Sequence, residues 1–328
     1  MDPKEIAEVK GLVGVAAALG KGPKFLSEWM AKRTEQRYTE FIDAARDGNV
    51  FPENAERMTP DDLFAILRSP ELDIENEKAM LYGRLASSIA KGDMSAHDRR
   101  HFIKSLRELT FSQVGRLRRA HVAAEFALKP TIGSGRKEMR EYIAGGPSGR
   151  LDEAAFKQFT LTDGDKLTDI GIRFVEACYH DDELTPSSIG EREWAKTTIQ
   201  IICNEISDPD CVNFINTLSV AGHNDAIRVT NGAAMRGRSE HYRILSGSLV
   251  VLLYRNPEKL VEDWDVVDKM TRSDGVYVSA SFDSNSLLPE SRSVIEHFNL
   301  SSEEFEQVST KIILLFDRLG FRDESAGH

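Results

Sequence analysis

The chain has 328 residues, of which 41% are hydrophobic and 29% charged, and its net charge is −11. That length suits two domains, and the balance allows a normal core and excludes wholesale disorder. Cys178, Cys203 and Cys211 are too few for a disulfide scaffold, and the acidic surplus argues against a general nucleic-acid coat protein.

In chain order, residues 1–10 are mixed in charge and carry no secretory pattern. The apolar run Gly11 to Gly20 has ten residues, short of the roughly 20 that span a bilayer. A cytoplasmic protein without an integral membrane span is expected. Residues 4–47 read as helix with a break near Gly20–Pro23, and Phe25, Trp29, Tyr38, Phe41 and Ile42 fall at helical spacing. A Pro- and Asn-containing loop covers 49–60. Thr59-Pro60-Asp61-Asp62 is a helix start, with a Thr cap, Pro in the first turn and following acids; Leu63, Phe64, Ile66 and Leu67 follow.

Residues 73–91 form the clearest predicted helix, with Ile74, Ala79, Leu81, Tyr82, Leu85 and Ile89 on its buried face. Ser95 caps the next, which carries Phe102, Ile103 and Leu106. Another runs from Thr110 to Phe126, so the pair meets near Leu109-Thr110 at helix-turn-helix spacing. The Gly-rich 130–150 stretch reads as loops around a short helix. Phe156 to Thr162 alternates enough for a strand, and Thr168 starts a helix with Ile170, Phe174, Val175 and Cys178 inward.

These segments carry a resemblance. The order of ENEKAMLYGRLASSIAKGD at 75–93, HFIKSLRELTFSQVGRL at 101–117 and LTDGDKLTDIGIRFVEAC at 161–178 resembles bacterial proteins of the abortive-infection alpha type, over about residues 70–180. Tyr82 stands where related proteins often carry Trp. The resemblance implies a winged or helix-turn-helix-like end to the helical module. It also implies a bacterial or prophage-encoded defence protein that acts by sensing or by growth arrest.

The acidic, Pro-containing stretch Asp181 to Gly190 is the expected boundary between domains at 1–185 and 190–328. Beyond it, periodicity leaves 191–206 open between helix and strand. Asp208-Pro209-Asp210 caps a helix containing Val212, Phe214, Ile215 and Leu218, closed by Gly222. Residues 226–230 read as a short strand, Ile244 to Tyr254 as a buried apolar element, Pro257 to Met270 as a helix and Gly275 to Val278 as a strand. Ser301-Ser302-Glu303-Glu304 is expected to cap a last helix striped with Phe305, Val308, Ile312, Leu315 and Leu319. The expected fold is therefore mainly α with minor β: a helical N-terminal module and an α-rich mixed C-terminal domain.

Charge is uneven. Residues 101–150 hold ten Lys/Arg against four acids, a window of +6 that leaves −17 elsewhere. Arg99, Arg100, Lys104 and Arg107 on one helix and Arg116, Arg118 and Arg119 on the next could neutralise nucleic-acid phosphates, or pair with the acidic second domain. A second candidate is the loop with Arg236, Arg238, His241 and Arg243, preceded by His223, where Gly residues and forked guanidinium groups suit an anion. His97 and His101 share a helix face at i, i+4, but Asp98 stands where a zincin carries Glu, so no metal is assigned. No catalytic residue and no cofactor is assigned either. The leading expectation is a defence sensor or interaction protein with a protein partner or a second copy of itself. The alternatives are a nucleic-acid-binding regulator and a nuclease or nucleotide-processing effector.

Overall fold

The computed structural model describes residues 23–47, 59, 61, 65–66, 68–70, 73–91, 94–203, 205–233, 249–271, 275–283, 288 and 294–322. The expected break at Gly20–Pro23, most of the helix begun at Thr59 and the residues Arg236, Arg238, His241 and Arg243 lie outside them. About 56% of the described residues are helical, and the fold is mainly α with some β. It divides into two compact units. The first comprises residues 1–126 and 137–190, the second 127–136 and 191–328.

In the first unit, α1 (Pro23–Asp47) packs on α2 (Lys78–Ala90). Leu81, Tyr82, Leu85 and Ile89 of α2 are fully buried. The helices meet at Gly83, where a Cβ would run into the Phe41 carbonyl and stand 2.9 Å from the Ala44 Cβ. Ile74, expected on the buried face, is 87% exposed, because the helix begins only at Lys78. Asp73 just ahead of it is buried instead, where it takes an ion pair from Lys78 and a 2.8 Å hydrogen bond from the Tyr82 hydroxyl.

Then come α3 (Ala96–Glu108) and α4 (Phe111–Glu125), each started by a local cap. Ser95 Oγ accepts from the Asp98 amide, and Thr110 and Gln113 form a reciprocal capping box. After α5 (Met139–Ile143), the strand expected over 156–162 does not form: its first three residues end α6 (Gly149–Gln158) and a turn follows. Phe156 is buried on α6, and only β1 (Thr162–Asp163) is extended, paired antiparallel with β2 (Lys166–Leu167). Thr168 caps α7 (Asp169–Cys178), whose Phe174, Val175 and Cys178 are buried, with Ile170 half-buried. The acidic stretch that follows folds as two 3-10 turns, Asp181–Glu183 and Ser187–Ile189.

The second unit is built on five parallel strands. They are β3 (Thr198–Cys203), β4 (Arg228–Ala233), β5 (Leu249–Tyr254), β6 (Val276–Ser281) and β7 (Val294–Asn299), in the order β4-β3-β5-β6-β7. The segment left open between helix and strand is thus β3. Its near-continuous apolar run, Ile199 to Cys203 buried throughout, is what a parallel strand covered on both faces requires. All six residues of β5 are buried. Leu249, Val251 and Leu253 join Phe214 and Leu218 of α8 (Pro209–Asn224) and Ile312 and Phe316 of α11 (Phe305–Arg318). Val250, Leu252 and Tyr254 point the other way, to Leu260 of α9 (Pro257–Glu262) and Val266 and Val267 of α10 (Trp264–Met270).

Details of this unit depart from expectation. The helix predicted over 257–270 breaks at Asp263 into α9 and α10. Ser301 does not cap α11; its amide and hydroxyl bond back to Asn299, and Glu304 precedes the helix without a side-chain cap. Leu319, the last residue of the predicted stripe, lies beyond Arg318 and is 36% exposed. Among the described residues no helix is long and apolar enough to cross a membrane.

Candidate functional site

The basic stripe is not one uniform surface. Arg116 is spent inside its own unit. Its Nε donates to the Tyr142 carbonyl at 2.6 Å, its Nη2 to the Gly145 carbonyl at 2.5 Å, and its Nη1 meets the Asp152 carboxylate at 2.7 Å. Arg118 donates from Nε to the Glu183 carbonyl at 2.8 Å and from Nη2 to the Ser188 carbonyl at 3.2 Å, with its guanidinium 4.9 Å over the Tyr179 ring. Arg84 holds the Glu183 carboxylate at 2.7 Å. These two arginines fix the acidic stretch onto the first unit. Arg107 pairs with its neighbour Glu108. Arg100, Lys104 and Arg119 are exposed, whereas Arg99 is half-buried and bonded.

Beside Arg118 lies a cleft of about 560 Å³. Met80, Phe111, Tyr179 and Ile189 supply apolar surface, the arginines of α4 supply positive charge, and the one lining carboxylate, Glu183, is already paired with Arg84. Gly115 opens the helix side of it: a Cβ there would touch nothing within 4 Å.

The second unit offers a different site. In an open parallel sheet, ligands bind beyond the carboxyl ends of the strands, where the strand order reverses. Here the first strand, β3, has the second on one side and the third, β5, on the other, so the reversal lies between β3 and β5. The residues that follow those two strands are charged and paired across the crevice. Arg255, next after β5, reaches Asp208 at 3.3 Å and Asp210 at 2.8 Å, and its guanidinium lies 4.9 Å over the Phe282 ring. Lys259 on α9 reaches Glu205 at 3.0 Å. Asp208 also caps α8 by accepting from the amides of Asp210 and Cys211. The Cys211 amide, followed by Arg255, holds its carboxyl below the usual range against the opposing effect of burial. The second oxygen of Glu205, Oε2, is buried with no hydrogen-bond partner among the described residues.

His223, expected beside the Arg/His loop, sits at the far end of α8. Its Nε2 donates to the Thr131 carbonyl at 3.1 Å, and its ring meets Trp194 edge-on at 5.5 Å. Arg228 covers the same indole at 5.4 Å. Ala233, which ends β4, stands at the carboxyl edge of the sheet, but the four loop residues after it are not described.

His97 and His101 stack with centroids 6.1 Å apart, and His101 Nε2 donates to the Phe159 carbonyl at 2.8 Å. No group of three or more His, Cys, Asp or Glu that could hold a metal occurs among the described residues. All three cysteines are buried free thiols, and burial pushes the Cys178 thiol up.

A polar cluster that sequence reasoning missed lies at the carboxyl half of β6 and β7. His297 is hydrogen-bonded through Nδ1 to Ser279 Oγ at 2.7 Å and through Nε2 to Ser281 Oγ at 3.4 Å. Burial lowers its pKa, so the neutral imidazole is favoured. Alternation along β6 was the available signal: Tyr277, Ser279 and Ser281 share a face, and the two serines on it are buried.

No protein-family model, no curated protein and no solved structure matches this chain.

Proposed function

We propose that the chain is a ligand-responsive sensor of antiviral defence, of the abortive-infection kind, with the parallel-sheet unit as the sensing part. The observation that carries the reading is Glu205 Oε2, a buried acceptor with no donor among the described residues, at the point where the strand order reverses. Buried polar atoms are paired in the great majority of cases, and an orphan acceptor in a ligand-binding crevice invites an N–H or O–H from a bound molecule. A ligand entering there competes with Lys259 for Glu205 and with Asp208 and Asp210 for Arg255. Binding would then be felt by the starts of α8 and α9, which carry those partners. The resemblance over residues 70–180 supplies the defence context. The winged reading of the helical module rests on α3 meeting α4 at Leu109-Thr110 and on the β1–β2 hairpin ahead of α7.

Nucleic-acid binding by the basic stripe is the weaker reading, because Arg116 and Arg118 already donate to carbonyl groups of their own unit.

Two measurements test the proposal. Bacteria expressing the chain should plate fewer phage than bacteria with an empty vector, and Arg255→Ala should lose the difference. In thermal melts of the purified protein against a panel of nucleotides, a bound ligand raises the midpoint by mass action. That rise should shrink in Arg255→Ala and Arg236→Ala and persist in full in the exposed Arg100→Ala. Equal plating with and without the chain removes the defence reading. Equal midpoint rises in all variants remove the sheet edge as the sensor.

A further inference from the structure

The cleft on α4 lies in the helical unit and is independent of the sheet edge. Ser112, Gly115, Arg116 and Arg119 stand at i, i+3, i+4 and i+7, so they share one face of the helix. That face lines the cleft, together with Met80, Phe111, Tyr179 and Ile189. Its groups divide into those that are used and those that are available. The Arg116 guanidinium is fully committed to Tyr142, Ile143, Gly145, Ser148 and Asp152. Arg118 is held at the wall by Tyr179 and two carbonyls. Arg119 and Ser112 are exposed and make no hydrogen bond or ion pair among the described residues.

Arg119 lies seven residues after Ser112 along the helix, a rise of about 10 Å. Between them the helix carries glycine, at a position where a side chain would meet nothing. Glycine in a helix interior costs about 1 kcal/mol relative to alanine. No packing contact demands it at this position, whereas Gly83 is required by its neighbours. A flat molecule can therefore lie directly against the α4 backbone, with an anionic head at one end and a polar edge at the other.

We propose that this cleft binds an organic anion of mononucleotide size. Its phosphate is taken by Arg119, its planar body lies over Gly115 between the Arg118 guanidinium and the apolar group of Met80, Phe111 and Ile189, and its polar edge meets Ser112. The volume of about 560 Å³ falls in the range of small-ligand sites. Guanidinium planes and aromatic rings are the surfaces on which bases stack. A single ligand of this kind uses the unpaired groups of the face and leaves the committed ones undisturbed.

The test is calorimetric titration of the full chain at low salt with AMP, GMP, CMP and UMP. Adenosine and inorganic phosphate serve as half-ligands, and a single-stranded oligonucleotide as the polymeric alternative. At least one mononucleotide should bind one to one and more tightly than either half-ligand. Arg119→Ala should weaken it about tenfold, the loss of one charge-assisted contact. Gly115→Leu should abolish it by filling the space, with circular dichroism and the melting midpoint showing that the variant is folded. Should Gly115→Leu fail to fold, Arg119→Ala decides, because an exposed arginine can be removed without loss of structure. Absence of saturable binding to all four mononucleotides overturns the proposal, as does unchanged affinity in Arg119→Ala. Oligonucleotide binding that is tighter than any mononucleotide and indifferent to Gly115→Leu overturns it in favour of an extended nucleic-acid face. Binding lost in Arg255→Ala but kept in Arg119→Ala assigns the ligand to the sheet edge, which separates failure here from failure of the sensing proposal.

Discussion

Arg116 Nη1 stands 2.7 Å from Asp152 Oδ2 and thereby ties α4 to α6, with the side chains only 18% and 9% exposed. The same guanidinium collects three carbonyl groups from the end of α5 and the turn after it. An arginine that looks, in the sequence, like one of a run of phosphate contacts is the fastener of the Gly-rich segment. Removing one partner of a largely buried pair leaves the other uncompensated, so Arg116→Ala should destabilise the chain by about 3 kcal/mol. Urea melts of wild type and variant measure this. A loss within 0.5 kcal/mol of that for the exposed Arg100→Ala would show that the pair is solvated and the fastening unimportant.

Two helix glycines should respond to alanine with opposite sign. At Gly83 a Cβ collides with the Phe41 carbonyl and crowds Ala44, so Gly83→Ala should force α1 from α2 and cost on the order of 2 kcal/mol. At Gly115 a Cβ meets nothing, and Gly115→Ala should stabilise by up to about 1 kcal/mol through helix propensity. Thermal midpoints should move in opposite directions; a shift of the same sign in both would discredit the α1–α2 packing.

In α11 the substituted side chain should matter according to depth. Ile312 is fully buried between α8 and the sheet, and Ile312→Ala should cost about 2–4 kcal/mol by leaving a cavity. Leu319, a third exposed and past the helix end, should tolerate alanine to within about 0.5 kcal/mol. Denaturant midpoints of the two variants check this, and equal costs would mean that α11 does not present the face described.

Acid should weaken the helical unit through two aspartates. Burial alone would raise both carboxyls. At Asp152 the hydrogen bonds of Ser148 and Gln113 and the charge of Arg116 outweigh burial, and at Asp98 those of Ser95 and Arg173 do. Both folded pKa values therefore lie below the ordinary aspartate value of about 4. The stability they contribute is present above that value and is lost as pH falls through the lower, folded one. Asp152→Asn should flatten the loss of stability as pH falls below about 4, followed as urea midpoints. A variant that loses as much as wild type across that range would exclude Asp152 from the acid response.

Much of the local structure was legible in the sequence. The starts at Ser95, Thr110, Thr168 and Asp208 could be read because a cap is a bond between a side chain and an amide two or three residues away. The sheet was less legible. Strand β7 went unread because only Phe298 of its six residues is buried, which leaves no clean alternation. The parallel order was unreadable because β3 finds its partners about 30 and 50 residues downstream. Likewise the partner of Arg116 lies 36 residues on, in a stretch whose helix was read partly as strand. Glu205 drew no notice because its meaning depends on where β3 ends relative to β5.

The segment 127–136, which belongs to the second unit while lying within the sequence of the first, bears on how the protein is made. Its backbone is held by residues near 193: Lys129 donates to the Arg192 carbonyl at 2.8 Å, the Trp194 amide to the Ala127 carbonyl at 2.9 Å, and the Trp194 indole to the Gly135 carbonyl at 2.7 Å. On a ribosome adding about 5–20 residues per second, those partners emerge roughly 3 to 12 s after the segment does. Throughout that interval the segment has none of them to bond, while α4 precedes it and α5 follows within a few residues. A gene divided at Gly190 would impose the same state permanently. The first product would carry a segment whose hydrogen-bond partners at Ala127, Lys129 and Gly135 are encoded on the other, and the second would present Trp194 with no carbonyl to receive its indole.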